Sequence, residues 1–316
     1  MDMRVLVTGA QGCIGAWVTK SLRERQIDVL LFDRDAGGRR LRMLLPAADV
    51  DCIPAITGSV EDTALLARVV REEGITHVIH LAAALIPFCQ AHPVDGALAN
   101  VIGTLNIFAA ARAAGRPVRI VYASSAAVWG PEEFYGSGKV TEQDPLKPQT
   151  HYGVFKQANE GNARVFFQTD GISSIGLRPW SVYGVGRDQG LTADPTLAMR
   201  AAVAGERYQI RVTGQMDLQY AGDVAEAFVR CLLSDLEGAH VFNLEGAVVT
   251  MQELIHLIEE LYPSARGLLS CAGPRIPVVC RMDGSELRSK IGGAPQTPLR
   301  DGVRDTLERF ARLRGA

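Results

Sequence analysis

The stretch Arg4-Val-Leu-Val-Thr-Gly-Ala-Gln-Gly-Cys-Ile-Gly15 decides how the rest of the chain is read. Its first five residues form a short β-branched apolar run, the mark of a buried strand, and residues 13–25 follow with helical spacing. Three glycines stand between the two patterns. Gly9 permits a tight turn, Gly12 lets the backbone approach a pyrophosphate, and Gly15 lets the helix pack close to the sheet. The helix N-terminus offers aligned N–H groups to an anion. A glycine triplet alone is weak; the strand before it and the helix after it give it weight. Asp33 ends the next apolar run, 18 residues past Gly15. An acid there can hold the adenosine ribose hydroxyls and repel a 2′-phosphate, so the expected cofactor is NAD. Arg34 and Arg39 are nearby cations that argue for NADP instead.

The alternation continues outward. Residues 51–57 read as a poorer strand interrupted by Pro54, 61–73 as a helix stopped by Gly74, and 77–82 as a strand. Residues 93–114 read as a helix, 118–123 as a fifth strand, 152–169 as a helix and 172–177 as a sixth strand. Strands alternating with helices of this length predict an α/β fold, a Rossmann-type doubly wound parallel sheet with right-handed crossovers. Residues 130–150 are punctuated by Pro131, Gly136, Gly138, Pro145 and Pro148, and so read as a long functional loop. Beyond about 180 the pattern becomes irregular. Short strands are expected near 208–212 and 241–244, and helices near 224–233, 251–261 and 299–313. The expected division is a dinucleotide-binding domain over 1–178 and a smaller C-terminal substrate-binding lobe over 179–316, partly interleaved with the sheet.

Charge balance excludes one broad class: 33 Lys+Arg against 35 Asp+Glu give −2, with no basic block to displace counterions from nucleic acid. No apolar run is read as long enough to span a bilayer, and no signal-peptide pattern is seen, so the expected location is cytoplasmic. The six cysteines lack paired spacing and read as reduced thiols; the histidines show no metal spacing, and no metal site is implied.

Tyr152 and Lys156 are four apart on a helical pattern, hence neighbours on one face. A tyrosine is a poor base at neutral pH, and a nearby ammonium together with a positive nicotinamide is expected to lower its pKa. Ser124 and Ser125 end the fifth strand, at the carboxyl edge where open α/β sheets bind ligands. About 0.1 accidental Y-x-x-x-K matches are expected in a chain of this composition, so one match is only moderately informative. A second match, Tyr135–Lys139, contains Gly136 and Gly138, and helix propensity selects Tyr152.

Taken in order, TGAQGCIG (8–15), Asp33, HLAA (80–83), Asn100-Val-Ile-Gly-Thr104, YASSAAVWG (122–130), Tyr152–Lys156, LRPWSVYG (177–184) and Tyr220-Ala-Gly-Asp223-Val resemble the extended short-chain dehydrogenase/reductases, the NAD-dependent epimerase/dehydratase family. The resemblance implies that Ser125 holds the substrate oxygen, Tyr152 is the acid/base, and Lys156 orients the nicotinamide ribose. It places Gly9, Gln11, Gly12, Cys13, Ile14, Gly15, Asp33, Ser59, Val60, Leu81, Ala82, Ala83, Asn100, Tyr152 and Lys156 at the cofactor. Ser59 stands where the family often has an Asp against adenine.

Departures from the family pattern speak to substrate. Ala126 and Ala127 replace the Asp-Glu pair of the 4,6-dehydratases, so elimination of water is not expected. Ser181 and Met216 replace an Asn and an Arg that help nucleotide-sugar epimerases hold a diphosphate, which needs charge-assisted donors. Arg178, Arg187 and Arg211 are the cations that would compensate, and each has a bland reading beside that one: Arg178 in LRP reads as structural, while Arg187 lies in a polar loop, GVGRDQG, placed to face substrate. Ser125, Trp180, Ser181, Arg187 and Gln189 are the candidate substrate residues. The expected activity is hydride exchange between NAD and a secondary alcohol of a small polyhydroxylated substrate such as a sugar, sugar acid or polyol, ending as dehydrogenation or epimerisation. Two alternatives stand beside it: a nucleotide-sugar 4-epimerase and a non-catalytic NAD-binding redox sensor. The family commonly dimerises through the helices near 93–114 and 152–169, so a homodimer is expected.

Overall fold

In a computed structural model that describes residues 3–292 and 295–315, twelve strands run β1 (Arg4–Thr8), β2 (Asp28–Asp33), β3 (Ala55–Thr57), β4 (His77–His80), β5 (Arg119–Ala123), β6 (Ser174–Arg178), β7 (Ser181–Tyr183), β8 (Tyr208–Ile210), β9 (Gln215–Tyr220), β10 (Ala239–Asn243), β11 (Ala247–Thr250) and β12 (Leu269–Cys271). Seven of them form one all-parallel sheet in the order β10-β6-β5-β4-β1-β2-β3. This is the expected doubly wound α/β sheet. Its order reverses between β1 and β4, which opens a crevice beyond the strands' carboxyl ends.

Alternation along β1 shows why both faces are covered. Val5 and Val7 pack with Trp17, Leu22, Val224 and Phe228, under the helices Cys13–Glu24 and Ala221–Leu233. Leu6 faces the other way, with Leu66, Ile107, Phe108 and Ala163 from the helices Thr63–Glu72, Gly103–Arg112 and His151–Asp170. Burial at these strand positions is complete, and each such side chain contributes roughly 1.5–3 kcal/mol relative to exposure.

Several local expectations shift. The poor strand over 51–57 is a short helix, Ala47–Asp51, followed by β3 alone; Pro54, which lacks an N–H, sits between them. The helical run from Pro93 contains a π-helical turn at Leu98–Ile102 before it continues as Gly103–Arg112. That run corrects the membrane reading: over Pro93–Arg112 it is 20 residues with a mean hydropathy of 1.4, enough to span by length and composition, and 56% of it is buried in the protein.

Residues after 178 do more than form a lobe. They supply β10 to the edge of the main sheet and the Ala221–Leu233 helix to one of its faces. The remainder builds a three-stranded sheet, β11-β9-β7, and a β12-β8 pair, held by the helices Asp194–Ala204, Met251–Leu261 and Leu299–Gly315. All six cysteines are free.

Candidate active site

The turn after β1 is held by close packing. Gly9 adopts φ 69°, and a Cβ there would lie 2.6 Å from the Ala82 nitrogen, so no other residue fits without moving the backbone that follows β4. Gly12 caps the following helix with no side chain of its own, leaving the first-turn N–H groups open. Asp33 at the end of β2 accepts the Gln11 N–H at 2.8 Å. An uncapped helix start beside a carboxylate on the second strand is the donor and acceptor set that a dinucleotide needs, so the residues fit NAD.

Beyond this loop lies a cavity of about 230 Å³. Gly9, Gly12, Cys13, Ile14, Gly15, Leu81, Ala83, Ser125, Tyr152, Lys156, Trp180, Arg187 and Gln189 line it, so one space joins most of the expected cofactor and catalytic positions. A second cavity of about 380 Å³ shares Ser125, Tyr152, Trp180 and Arg187, and continues between apolar walls that include Leu85, Ile86, Trp129, Val212 and Ile276.

The remaining candidates stand elsewhere. Ser59 follows β3 and accepts the Glu61 N–H at 3.2 Å, while Val60 is buried and its carbonyl accepts from Asn106 at 2.9 Å. Asn100, in the π-helical turn, supports the site from behind: its amide donates to the Ala84 carbonyl at 3.1 Å and to Gly96 at 2.9 Å. Ser181 is fully buried, with its hydroxyl on the Thr192 carbonyl at 3.3 Å. Met216 is fully buried as well. Arg178 is committed to a buried ion pair with Glu160 at 2.8 Å, and Arg211, itself exposed, to fully buried Asp194 at 2.6 Å. Of the three arginines named above, Arg187 is the one that lines the cavities, with a buried Nε that has no hydrogen-bond partner.

The His151–Asp170 helix positions Tyr152 and Lys156. Thr150 caps it, accepting the Gly153 N–H at 3.0 Å, which places Tyr152 in the first turn. The Lys156 Nζ donates to the Ala123 carbonyl at 2.6 Å, at the end of β5. Ser125 accepts the Ala127 N–H at 3.1 Å, which leaves its own proton free to donate towards Tyr152. Behind it, Ser124 donates to Glu160 at 2.5 Å, and Glu160 takes two further bonds from Arg178.

The electrostatics bear on the Tyr152–Lys156 expectation, which included the positive charge of a nicotinamide. In the protein alone the Tyr152 phenol titrates above its ordinary range, because burial outweighs the pull of the Ser125 hydroxyl and the Arg187 charge. Lys156 sits 5.5 Å from the centre of the tyrosine ring with its bond directed to Ala123, and burial pushes it down to about 8. A buried ammonium on a carbonyl does less for a neighbouring phenol than helical spacing suggests.

His80 is a satisfied core residue: its ring bonds Thr8 at 2.7 Å and Thr104 at 3.1 Å, and burial with the Lys156 charge pushes it down to about 3. Tyr135 and Lys139 are engaged away from the site, with the Pro145 carbonyl and Glu245. Sequence reasoning missed Arg40 and Asp188, which line the first cavity, and Arg275, exposed at the edge of the second. None carries a motif, and only folding brings them there.

A model of the NAD dependent epimerase/dehydratase family matches residues 5–244. The chain is 27% identical over 321 residues to a UDP-glucose 4-epimerase of Azospirillum brasilense, covering 95% of this chain and 89% of that one. Among solved structures it is similar to the Thermus thermophilus UDP-glucose 4-epimerase in complex with NAD, at TM-score 0.84, 28% identity and coverage of 99% and 100% of the two chains. It is also similar to an L-threonine dehydrogenase from Cupriavidus necator in its holo form, at TM-score 0.85, 25% identity and coverage of 97% and 99%.

Proposed function

Because this chain belongs to the NAD dependent epimerase/dehydratase family and is an NAD-dependent enzyme of the epimerase/dehydrogenase type, we propose that Tyr152 is its acid/base and that its substrate is a small polyhydroxylated acid. When bound, NAD supplies a hydride acceptor at C4 of its nicotinamide and a fixed positive charge. Tyr152 takes the proton of the substrate hydroxyl, and its phenol, raised by burial, needs that positive charge to ionise near neutral pH. Ser125 donates to the substrate oxygen as a carbonyl forms. Lys156, fixed on Ala123, holds the floor of the site and adds its charge.

One observation carries the substrate reading. The groups that would hold a diphosphate are replaced or engaged: Met216 and Ser181 are buried, Arg178 is buried on Glu160, and Arg211, though exposed, is paired with the buried carboxylate of Asp194. Arg187 remains beside Ser125 and Tyr152, with an unpartnered buried Nε that suits a carboxylate. A second reading, a nucleotide sugar, is favoured by Arg275 at the outer edge of the larger cavity, where a distal anion would reach it.

Thermal-shift titration separates the two. Uronates and aldonates are expected to raise the unfolding temperature in the presence of NAD, and UDP alone is expected to leave it unchanged. Stabilisation by UDP without response to the sugar acids overturns the small-acid reading. Acid release of cofactor, with absorbance at 340 nm followed on the native enzyme, then distinguishes epimerisation from net dehydrogenation.

We also propose a homodimer. Val94, Leu98 and Ile102 on one helical run and Val154, Val165 and Phe167 on the adjacent His151–Asp170 helix are exposed apolar side chains, Val94 at 73%. Sedimentation at twice the monomer mass is the expected result, and Val154→Glu is expected to shift it towards monomer.

A further inference from the structure

The segment 186–190 hangs between two glycines in the left-handed half of backbone space, Gly186 at φ 92° and Gly190 at φ 82°. Just before it the chain is anchored: the Val185 carbonyl accepts the Trp17 indole N–H at 2.9 Å, a fixed point on the helix behind the glycine loop. Within the segment, Arg187 donates to Thr192 at 2.7 Å, and Asp188 meets Arg40 at 2.6 Å. The Arg40 guanidinium also donates to the Gly186 carbonyl at 3.0 Å and to the Gln11 carbonyl at 2.7 Å. It therefore ties the glycine loop to a loop that lies 146 residues beyond Arg40 in the chain, across a cavity that both line. The bridge is sheltered, at 13% exposure for Arg40 and 19% for Asp188. Arg39 reaches the same carboxylate from outside at 62% exposure and adds little.

We propose that Arg40 and Asp188 form a clasp over the diphosphate of the bound dinucleotide and set how slowly the cofactor leaves. The open start of the Cys13–Glu24 helix would hold the diphosphate, and it faces the cavity that the two bridged loops line. A guanidinium has five N–H donors, and the contacts to Gln11, Gly186 and Asp188 leave one on each terminal nitrogen for a phosphate oxygen. With both walls tied to one side chain, a departing dinucleotide has to break the bridge, whereas the glycines at either end let the segment swing aside once it is broken. The effect falls on dissociation rather than on association. Its consequence for the reaction is the choice between outcomes: a cofactor that stays lets the carbonyl product be reduced again in place.

The test is stopped-flow release of NADH, followed by its fluorescence on displacement with excess NAD. Arg40→Ala and Asp188→Asn are each expected to release NADH about tenfold faster than wild type, from loss of charge-assisted bonds. The double variant is expected to be no faster than the faster single one, because each change breaks the same bridge. Arg40→Lys keeps the charge and loses the fork, so it is expected to behave as Arg40→Ala does. Release within about twofold of wild type in both single variants overturns the clasp. So does wild-type release by Arg40→Lys, or an affinity loss carried only by slower association, since either result reads as charge attraction alone. Asp188→Asn, nearly isosteric and with Arg40 intact, carries the test should Arg40→Ala fold poorly.

Discussion

Replacing Lys156 by Met is expected to make the protein more stable and inactive at once. The Lys156 side chain is 3% exposed, and burial brings its pKa from an ordinary 10.5 to about 8. At about 1.4 kcal/mol per tenfold change, keeping this ammonium charged in the folded protein at pH 7 costs roughly 3 kcal/mol. Met fills nearly the same volume without that cost. Against the gain, the Ala123 carbonyl loses its 2.6 Å donor, worth about 1 kcal/mol. The net expectation is a stabilisation of about 2 kcal/mol, or a rise of roughly 2–5 °C in unfolding temperature for a chain of this length.

The pH dependence distinguishes this cause from better packing. The folded pKa lies below the unfolded one, so between about 8 and 10.5 the unfolded chain binds more protons and wild-type stability rises with pH. The burial cost is fully present below pH 8 and fades above it. The advantage of Lys156→Met over wild type should therefore shrink by more than half between pH 7 and roughly pH 9.5. Calorimetric unfolding of both proteins across that range measures it. A variant that melts below wild type at pH 7, or a difference that does not change with pH, refutes the argument.

Three further outcomes follow from the same geometry. Tyr152→Phe is expected to lower kcat by about 10²–10⁴ while NAD affinity holds, measured by single-turnover absorbance and by titration. Glu160→Gln breaks a buried pair with Arg178, of 4% and 9% side-chain exposure, and turns one of the two oxygens that accept from the guanidinium into a donor; a loss of about 3–5 kcal/mol in denaturant unfolding is expected, with partial recovery in the Glu160→Gln/Arg178→Met double variant. Asp33→Ser is expected to raise kcat/KM for NADP relative to NAD by about tenfold or more without reaching parity, because Arg39 and Arg40 are already held by Asp188; equal use of both cofactors by that variant would show that those arginines are free.

The main sheet was legible because its signal is local. A strand such as β1 declares itself by consecutive apolar residues, and the two faces of the fold follow from alternation of Val5, Leu6 and Val7. The glycine loop, Ser125 and the Tyr152–Lys156 spacing were legible for the same reason: each is fixed by neighbours a few residues away. The π-helical turn at Leu98–Ile102 and the reduction of 51–57 to a helix and a short strand were not, because tertiary contacts override propensity there. In the smaller sheets β11-β9-β7 and β12-β8, β8 answers the strand expected near 208–212, whereas β7, β9, β11 and β12 were not marked, because strands this short outside the strand–helix alternation carry little periodicity.

The same distinction explains why the substrate side resisted sequence reading. Arg178, Arg187 and Arg211 look alike as letters, and what separates them is a partner elsewhere: Glu160 for the first, Asp194 for the last, Thr192 and an open cavity for Arg187. A cation with a buried carboxylate at hand is withdrawn from ligand binding, because breaking that pair costs more than a new contact returns. A cation whose Nε is buried and unpartnered carries a desolvation penalty that a ligand anion relieves. By that measure Arg187 gains most from an anion beside Tyr152, and Arg40 already has most of its donors engaged with the walls of the cleft. One arginine is thus available to select the substrate, and the other to hold the cofactor. The hinged segment between Gly186 and Gly190 carries Arg187 together with Asp188, the partner of Arg40, so movement of the clasp reaches the substrate pocket through two adjacent residues.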